Sequence, residues 1–385
     1  MAQPSAGNSN RRRALLAVLF VFLVAGAGWG AWWWHTGRWT ETTDDAYVQG
    51  NIVQVTPQTA GTVVAVRADD TDFVKAGDEL VQLDRADAKV ALEQTEAQLA
   101  RTVRQVRALY AGDAQSAATV AQRESELARA LHDLDRRKRA AGDGSVSAEE
   151  IAHAEDSIAD RRAALAAARE QLQAGRALTE GTSIADHPDV RTAAAKLHEA
   201  FLAYSRTSIL APVSGYVAKR SVQVGQRVAA GAALMAVVPL DDVWAEANFK
   251  ESQLADARVG QPATVEADLY GGHVEYHGRV IGFGAGTGAA FALLPAQNAT
   301  GNWIKVVQRV PVRVALDPKE LQSHPLQVGL SLRVDIDTHD RSGPRLTRGR
   351  AGAGSQATAV FDASEHEADE TVRRIISENA GKPRG

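Results

Sequence analysis

Residues 61–84 read GTVVAVRADDTDFVKAGDELVQLD, and residues 215–238 read GYVAKRSVQVGQRVAAGAALMAVV. The two stretches are copies of one pattern. Gly61 matches Gly215, Val74 matches Val228, Gly77 matches Gly231 and Leu80 matches Leu234, always 154 residues on (215 − 61 = 231 − 77). Each copy has short β-prone runs broken by glycine, and a proline precedes each (Pro57, Pro212). The glycines Gly61, Gly77, Gly215 and Gly231 are expected at tight turns that need positive φ. A copy of about 25–30 residues cannot enclose a core alone. The two halves must therefore pack on each other, as one small β-sandwich split over residues 51–85 and 207–240. Everything between has to leave that sandwich and return to it.

The intervening residues 86–206 carry no strand pattern and read as a helical hairpin. On the first arm Leu99, Val103, Val106, Tyr110, Ala117, Val120, Leu127, Leu131 and Leu134 alternate by fours and threes, interrupted by Asp113 and Glu124. On the second, Ile151, Ile158, Leu165 and Leu172 recur every seventh residue. Such spacing with charged flanks marks an antiparallel coiled coil. Asp113 and Glu124 are either registry devices or departures near solvent. Between the arms lies AAGDGSVSAEE (140–150): Gly142 and Gly144 stop the first helix, and Ser147 with Glu150 has capping-box spacing for the second. His187-Pro188 interrupts the return, which Leu197, Phe201 and Tyr204 complete. The first arm, at about 50 residues, reaches roughly 75 Å.

Beyond residue 240 the period changes to two. VWAEANF (243–249), ATVEADL (263–269), VEYHGRVIGF (274–283), WIKVVQRVPVRVAL (303–316) and LRVDIDT (332–338) predict an antiparallel β-barrel of about six strands over 241–340. GAGTGAAFALLPAQNATGN (284–302) reads as a long glycine-rich loop within it. Residues 341–385 read as a flexible tail that ends in a candidate amphipathic helix, ETVRRIISENAG.

Upstream of the repeat, residues 14–34 form 21 positions without a charge, flanked by Arg11, Arg12 and Arg13 and closing on Trp29, Trp32, Trp33 and Trp34, with Trp39 just beyond. That run spans roughly 30 Å as a helix, the thickness of a bilayer core. The arginines place the tail 1–13 in the cytoplasm, a transmembrane helix over 14–35 and a linker over 36–50, with the bulk of the chain outside. Ala25-Gly26-Ala27 also fits a signal-peptidase site, but the apolar run continues past it. The net charge of −4 is too mild to imply nucleic acid. With no cysteine in the chain, disulfides, thiol catalysis and lipidated cysteine are excluded.

An anchor, a split β repeat holding a helical hairpin, and a following barrel together resemble the membrane fusion proteins, or periplasmic adaptors, of the HlyD superfamily over roughly residues 42–340. TDDAYVQGNIVQVTPQTAGTV (43–63), LAPVSGYV (210–217), LMAVVP (234–239), NFKESQL (248–254), VGQPATV (259–265) and LLPAQNATGNWIKVVQRVPVR (293–313) are similar to the EmrA-type multidrug-efflux adaptors. The resemblance implies a mixed α and β, multidomain, elongated fold: a transmembrane helix, a split lipoyl-like sandwich, a long antiparallel coiled-coil hairpin and an antiparallel β-barrel. It implies a non-enzymatic subunit of the inner membrane, paired with a major-facilitator-type drug/proton antiporter and aimed at a TolC-like outer-membrane channel. Hydrophobic drugs are the expected cargo, with no pocket singled out between the hairpin seam and the barrel–sandwich cleft. A ring of copies is expected, since one hairpin cannot seal a conduit.

Related adaptors that meet TolC carry Arg, then Leu four residues on, then Ser seven further around the hairpin turn. Arg136, Ala140 and Ser147 occupy that spacing here, with Ala in place of Leu. Arg136, Arg137, Lys138 and Arg139 make the tip basic, which suits carbonyl or carboxylate groups on a channel rim. The plainer reading is a solvated helix end, where cations are favoured in any case.

Catalytic, cofactor and metal sites are not expected. Carrier domains built from two such β halves modify a lysine at the turn between them, whereas Leu83-Asp84-Arg85 runs straight into helix. GFGAGTG (282–288) lacks the Lys-Ser/Thr of a phosphate loop. His273 and His277 are four apart in strand-like sequence, where that spacing does not converge them. Two other roles fit the same architecture: an adaptor of a type I protein-secretion system, and an envelope scaffold without transport.

Overall fold

The computed structural model describes residues 8–35, 37–142, 144–291, 307–346 and 357–381. The chain opens with helix α1 (Asn8–His35), followed by strands β1 (Thr40–Gly50), β2 (Val53–Val55), β3 (Gly61–Val66), β4 (Phe73–Val74) and β5 (Glu79–Leu83). Helices α2 (Ala86–Ala141), α3 (Ala148–Thr179) and α4 (Pro188–Ser205) come next, then β6 (Ser208–Leu210), β7 (Gly215–Ala218), β8 (Arg227–Val228) and β9 (Met235–Val238). Strands β10 (Val243–Lys250), β11 (Pro262–Ala267), β12 (Glu275–Phe283) and β13 (Arg309–Leu316), helix α5 (Pro318–Ser323), strand β14 (Ser331–Asp337) and helix α6 (Asp362–Ala380) complete it.

The two copies of the repeat form one sandwich by exchanging strands. One sheet runs β2-β9-β7-β4 and the other β6-β5-β3-β8, so each copy lends its short middle strand to the other copy's sheet. The exchange obeys the 154-residue offset. Gly61 lies opposite Val228, and Gly215 lies opposite Val74. The Thr71 N–H donates to the Val217 carbonyl (3.0 Å), and its counterpart Gly225 donates to Val63 (2.8 Å). Gly77 donates to Ala211 (2.8 Å) and Gly231 to Pro57 (2.9 Å). Val63, Leu80, Val81, Leu83, Val217, Val228, Leu234 and Val237 fill the space between the sheets.

The four repeat glycines divide into two kinds. Gly77 (φ +92°) and Gly231 (φ +79°) sit in left-handed turns. Gly61 and Gly215, expected at such turns, instead open β3 and β7 with ordinary φ. Their requirement is space, because the facing chain approaches where a side chain would stand. Thr71 holds φ +77° at the position where the second copy has Gly225 (φ +84°). An L-residue there carries a cost of roughly 1–2 kcal/mol, and the hydrogen bond it serves uses backbone only. Thr71→Gly is therefore expected to stabilise the sandwich by about 0.5–1 kcal/mol net of glycine's greater unfolded freedom, read as a raised denaturation midpoint. An unchanged or lowered midpoint would contradict it.

The barrel closes in the order β1-β10-β13-β12-β11-β14. Its interior takes alternate residues of each strand, such as Val243, Ala245, Ala247 and Phe249 of β10 and Val312, Val314 and Leu316 of β13. Residues 40–50, read from sequence as part of a linker, supply the first barrel strand. The polar run TETTDDAYVQG buries Thr43, Ala46 and Val48, of which only Ala46 and Val48 are apolar and join the core cluster. A register shift between Thr43 and Ala46 lets Asp45 reach Arg309 (2.7 Å). The sequence run 303–316 forms a strand from Arg309 onward, and positions 303–306 lie outside the described residues, as do 292–302 of the glycine-rich loop.

The hairpin stands on the sandwich. β5 passes into α2 through Asp84 and Arg85, and α4 returns to β6 through Arg206 and Thr207. The return is broken where expected: Pro188 is the first residue of α4, and His187 caps it. The Asp189 N–H donates to His187 Nδ1 (3.2 Å), so Nε2 carries the ring hydrogen and donates to the Leu178 carbonyl (3.0 Å).

Burial along the hairpin is uneven. Leu92, Leu99, Val103 and Val106 are buried at the base, whereas Leu127 and Leu134 are half-buried and Leu131 is 40% exposed. The expected seam over Leu131 is thus displaced: half-buried Arg123, Glu126, Ala130 and Asp133 share it towards the tip. Ion pairs Glu126–Arg161 (3.8 Å), Glu124–Arg169 (2.6 Å) and Lys138–Glu155 (2.7 Å) cross between the arms there. Asp113 is half-buried and accepts the Thr179 hydroxyl, opposite Gly175, where a side chain would collide with its carboxylate. Asp113 thus has a fixed partner across the seam, as a registry device needs, whereas Glu124 stays exposed beside Arg169.

The base is thicker than two helices because α6 packs there. Within the tail read as flexible, residues 362–380 form a helix whose Ala368 and Ile375 are buried against α2 and α4.

Candidate functional site

The hairpin tip comprises the last two turns of α2, the turn 142–147 and the start of α3. Gly144 (φ +73°) makes the reversal, with its N–H donating to the Ala141 carbonyl (3.1 Å). Ser147 caps α3 reciprocally: its hydroxyl accepts from the Glu150 N–H (3.2 Å), and its own N–H donates to the Glu150 carboxylate (2.9 Å). Those bonds from the Ser147 backbone and side chain hold the Glu150 carboxyl below its usual range. A depressed carboxyl stabilises above its unfolded value, so the cap loosens as pH falls through the folded value.

The basic cluster divides by direction. Arg136 and Arg139 project outwards, each 72% exposed, with ion pairs to Asp133 (2.8 Å) and Asp135 (2.9 Å) on their own helix. Arg137 turns inwards: it is half-exposed, pairs with Asp133 (3.0 Å) and donates to the Glu150 carbonyl across the turn (3.4 Å). Lys138 reaches Glu155 on the opposite arm. Exposed pairs of this kind are each worth at most about 1 kcal/mol and are easily exchanged for a partner's carboxylates or carbonyls. Ala140 is half-buried, so the position where Leu was expected offers a flat apolar spot.

The structure therefore brings Arg136, Arg137, Ala140 and Ser147 to one apex, with Ser147 engaged in the cap. It places Gly61, Gly77, Gly215 and Gly231 in the sandwich instead, as the frame that carries the spike. Below the apex, Arg129, Arg136, Arg137 and Arg161 outnumber Glu126 and Asp133 along a groove of about 690 Å³ between the arms, which His153 also lines. The sequence reading passed over Arg129, Arg161 and His153; they meet only once the register of the arms is known. A second, larger crevice of about 940 Å³ runs beside the sandwich, lined by Val53, Leu210, Pro212, Pro239 and Val360 among others. Among the described residues, no three His, Asp or Glu side chains cluster closely enough to hold a metal ion. One described helix, over Arg11–Gly30, is long and apolar enough to cross a membrane.

Comparison with known proteins bears on these features. The family described as "EMRA, alpha-helical hairpin domain" matches residues 86–207. The fatty acid resistance protein FarA of Neisseria gonorrhoeae is 49% identical over 372 residues, 96% of this chain and 93% of that protein. The probable multidrug resistance protein EmrK of Escherichia coli K12 is 47% identical over 331 residues, 86% of each chain. The multidrug export protein EmrA of the same organism is 43% identical over 352 residues, covering 91% of this chain and 90% of that one.

Proposed function

Because the chain belongs to the EmrA-type membrane fusion adaptors of multidrug efflux, we propose that it joins an inner-membrane major-facilitator-type antiporter to a TolC-like outer-membrane channel. In this reading α1 is a single inner-membrane anchor with its N-terminus cytoplasmic, in line with Arg11, Arg12 and Arg13 ahead of the apolar run. The sandwich, hairpin and barrel are periplasmic. Energy comes from the transporter. The cargo is small hydrophobic compounds, in line with the fatty acid resistance for which one relative is named.

The observation that carries the proposal is the spike. The 56 residues of α2 reach about 84 Å, the base is seated on an interlocked sandwich, and the apex presents exposed Arg136 and Arg139. Such a body holds two partners apart at a set distance and offers cations to the further one.

Arg136→Asp tests it. The substitution removes one exposed cation and breaks only the pair with Asp133, so folding and membrane level should not change. Resistance to hydrophobic inhibitors is expected to fall about tenfold, to the level of the deletion strain, with loss of cross-linking to the channel. Unchanged resistance would remove tip docking. Cross-linking in intact envelopes, followed by identification of the inner-membrane partner, tests the other end. A multi-span transporter without an ATPase domain is expected, and a P-loop ATPase would overturn this assignment in favour of protein secretion.

A further inference from the structure

The C-terminal segment packs on the barrel and on the hairpin, and between them it lines crevices beside the sandwich. After β14, residues 338–346 follow one end of the barrel: the Val259 N–H donates to the Pro344 carbonyl (3.0 Å), and Arg345 donates to the Ala255 carbonyl (3.1 Å). A side chain on Gly343 would strike the Val259 carbonyl at 2.4 Å, so the fit is close. Residues 357–360 then form one wall of the large crevice, facing Val53, Gly77 and Pro212 of the sandwich. Phe361 and Ser364 line a small cavity together with Arg206 and Ile209, where the sandwich gives way to the hairpin. Finally α6 lies on α2 and α4. Its Ala368 and Ile375 are buried, and Val372, Ile376 and Ala380 pack on the cluster of Leu99, Val103 and Leu197. Two polar contacts flank this seam: Arg104 donates to Asn379 (2.7 Å), and His198 faces Asp369 (3.4 Å).

The covalent links between sandwich and hairpin are two, at Asp84-Arg85 and Arg206-Thr207. Two short links side by side define an axis, and a long spike can rock about it. A third attachment off that axis removes the freedom. We propose that residues 357–381 are a strap that supplies this third attachment, fixing the direction of the spike relative to the barrel so that the two move as one body. The strap acts within the chain itself, whichever transporter or channel the protein serves.

The chain contains no cysteine, so paired labels can be placed cleanly in the full-length protein. Arg104→Cys with Asn379→Cys, treated with a short bismaleimide, is expected to link within one chain. A link between two copies, or none in folded protein, would overturn the strap. Its mechanical effect is read by single-molecule energy transfer between dyes at Gln115→Cys on the spike and Glu275→Cys on the barrel. The intact protein is expected to give one narrow distance distribution. Ile375→Asp, and separately a chain ending after Leu346, are expected to broaden it at least twofold while amide exchange of β10 and β13 stays unchanged. A distribution equally narrow in all three proteins would refute the proposal. If the shortened chain fails to accumulate, the Ile375→Asp protein decides the matter alone.

Discussion

Gly215→Ala is expected to unfold the sandwich, at a cost of about 3 kcal/mol or more, while Gly61→Ala costs about 1 kcal/mol. The two positions are equivalent in the repeat, yet their surroundings differ. A methyl on Gly215 would stand 2.5 Å from the Val238 carbonyl oxygen, 2.7 Å from its carbon and 2.8 Å from the Pro239 nitrogen. All three are backbone atoms at the end of the paired strand β9 and its first following residue, and they cannot move without disturbing the β7–β9 ladder. A methyl on Gly61 would meet side-chain atoms of Leu83 at 3.3 Å, and that side chain can give by a few tenths of an ångström. Marginal domain stability makes the first change decisive and the second tolerable. Amide exchange of residues 215–218 and 235–238 separates the cases: protection should collapse in the first variant and persist in the second. Equal effects at both positions would mean that turn conformation, rather than close approach, governs these glycines.

The second large effect lies in the hairpin. Leu99→Ala is expected to cost about 2–5 kcal/mol, the range for truncating a fully buried leucine. Leu131→Ala should stay within about 0.5 kcal/mol. Leu99 is completely enclosed by α2, α4 and α6, whereas Leu131 is 40% exposed on a stretch where, among the described residues, α2 faces α3 only. Losing Leu99 opens a cavity at the base, where the spike has its dense apolar core. Chemical denaturation followed by helical circular dichroism gives both values, and the Leu99 variant should also release α6. Similar costs at the two sites would show that the spike is uniformly packed along its length.

Leu99 and Leu131 also show how far the sequence could be read. Both fall on the same four-three alternation, which reports periodicity and not the number of helices sharing a seam. The third helix at the base comes from residues more than 250 positions away, so its partner surface left no local mark beyond the amphipathic run ETVRRIISENAG. The same limit hid strand β1. Of its three buried residues only Ala46 and Val48 are apolar, and an alternation of two apolar side chains is indistinguishable from a linker. The interlocked sandwich was legible because glycine and valine recur at one offset in two places, and neither copy could bury a core alone. The hairpin and its reversal were legible because Ser147, Glu150, Gly144 and Pro188 are local devices whose geometry depends on little else. At the apex the residue positions were readable, but the directions were not: Arg136 points out and Arg137 points in because α3 supplies the Glu150 carbonyl to one and not the other.

The exchange of strands between distant halves underlies every role assigned to the spike, and one pair of substitutions tests it. Thr62 of β3 lies directly opposite Arg227 of β8, both side chains exposed. Directly paired residues on antiparallel strands have Cα atoms about 4.5–5.5 Å apart, within the span of a disulfide. In the otherwise cysteine-free chain, Thr62→Cys with Arg227→Cys is expected to oxidise to a single bond within one folded molecule. Two thiols that stay free under oxidant in folded protein would contradict the shared sandwich, and with it the rigid base on which the spike stands.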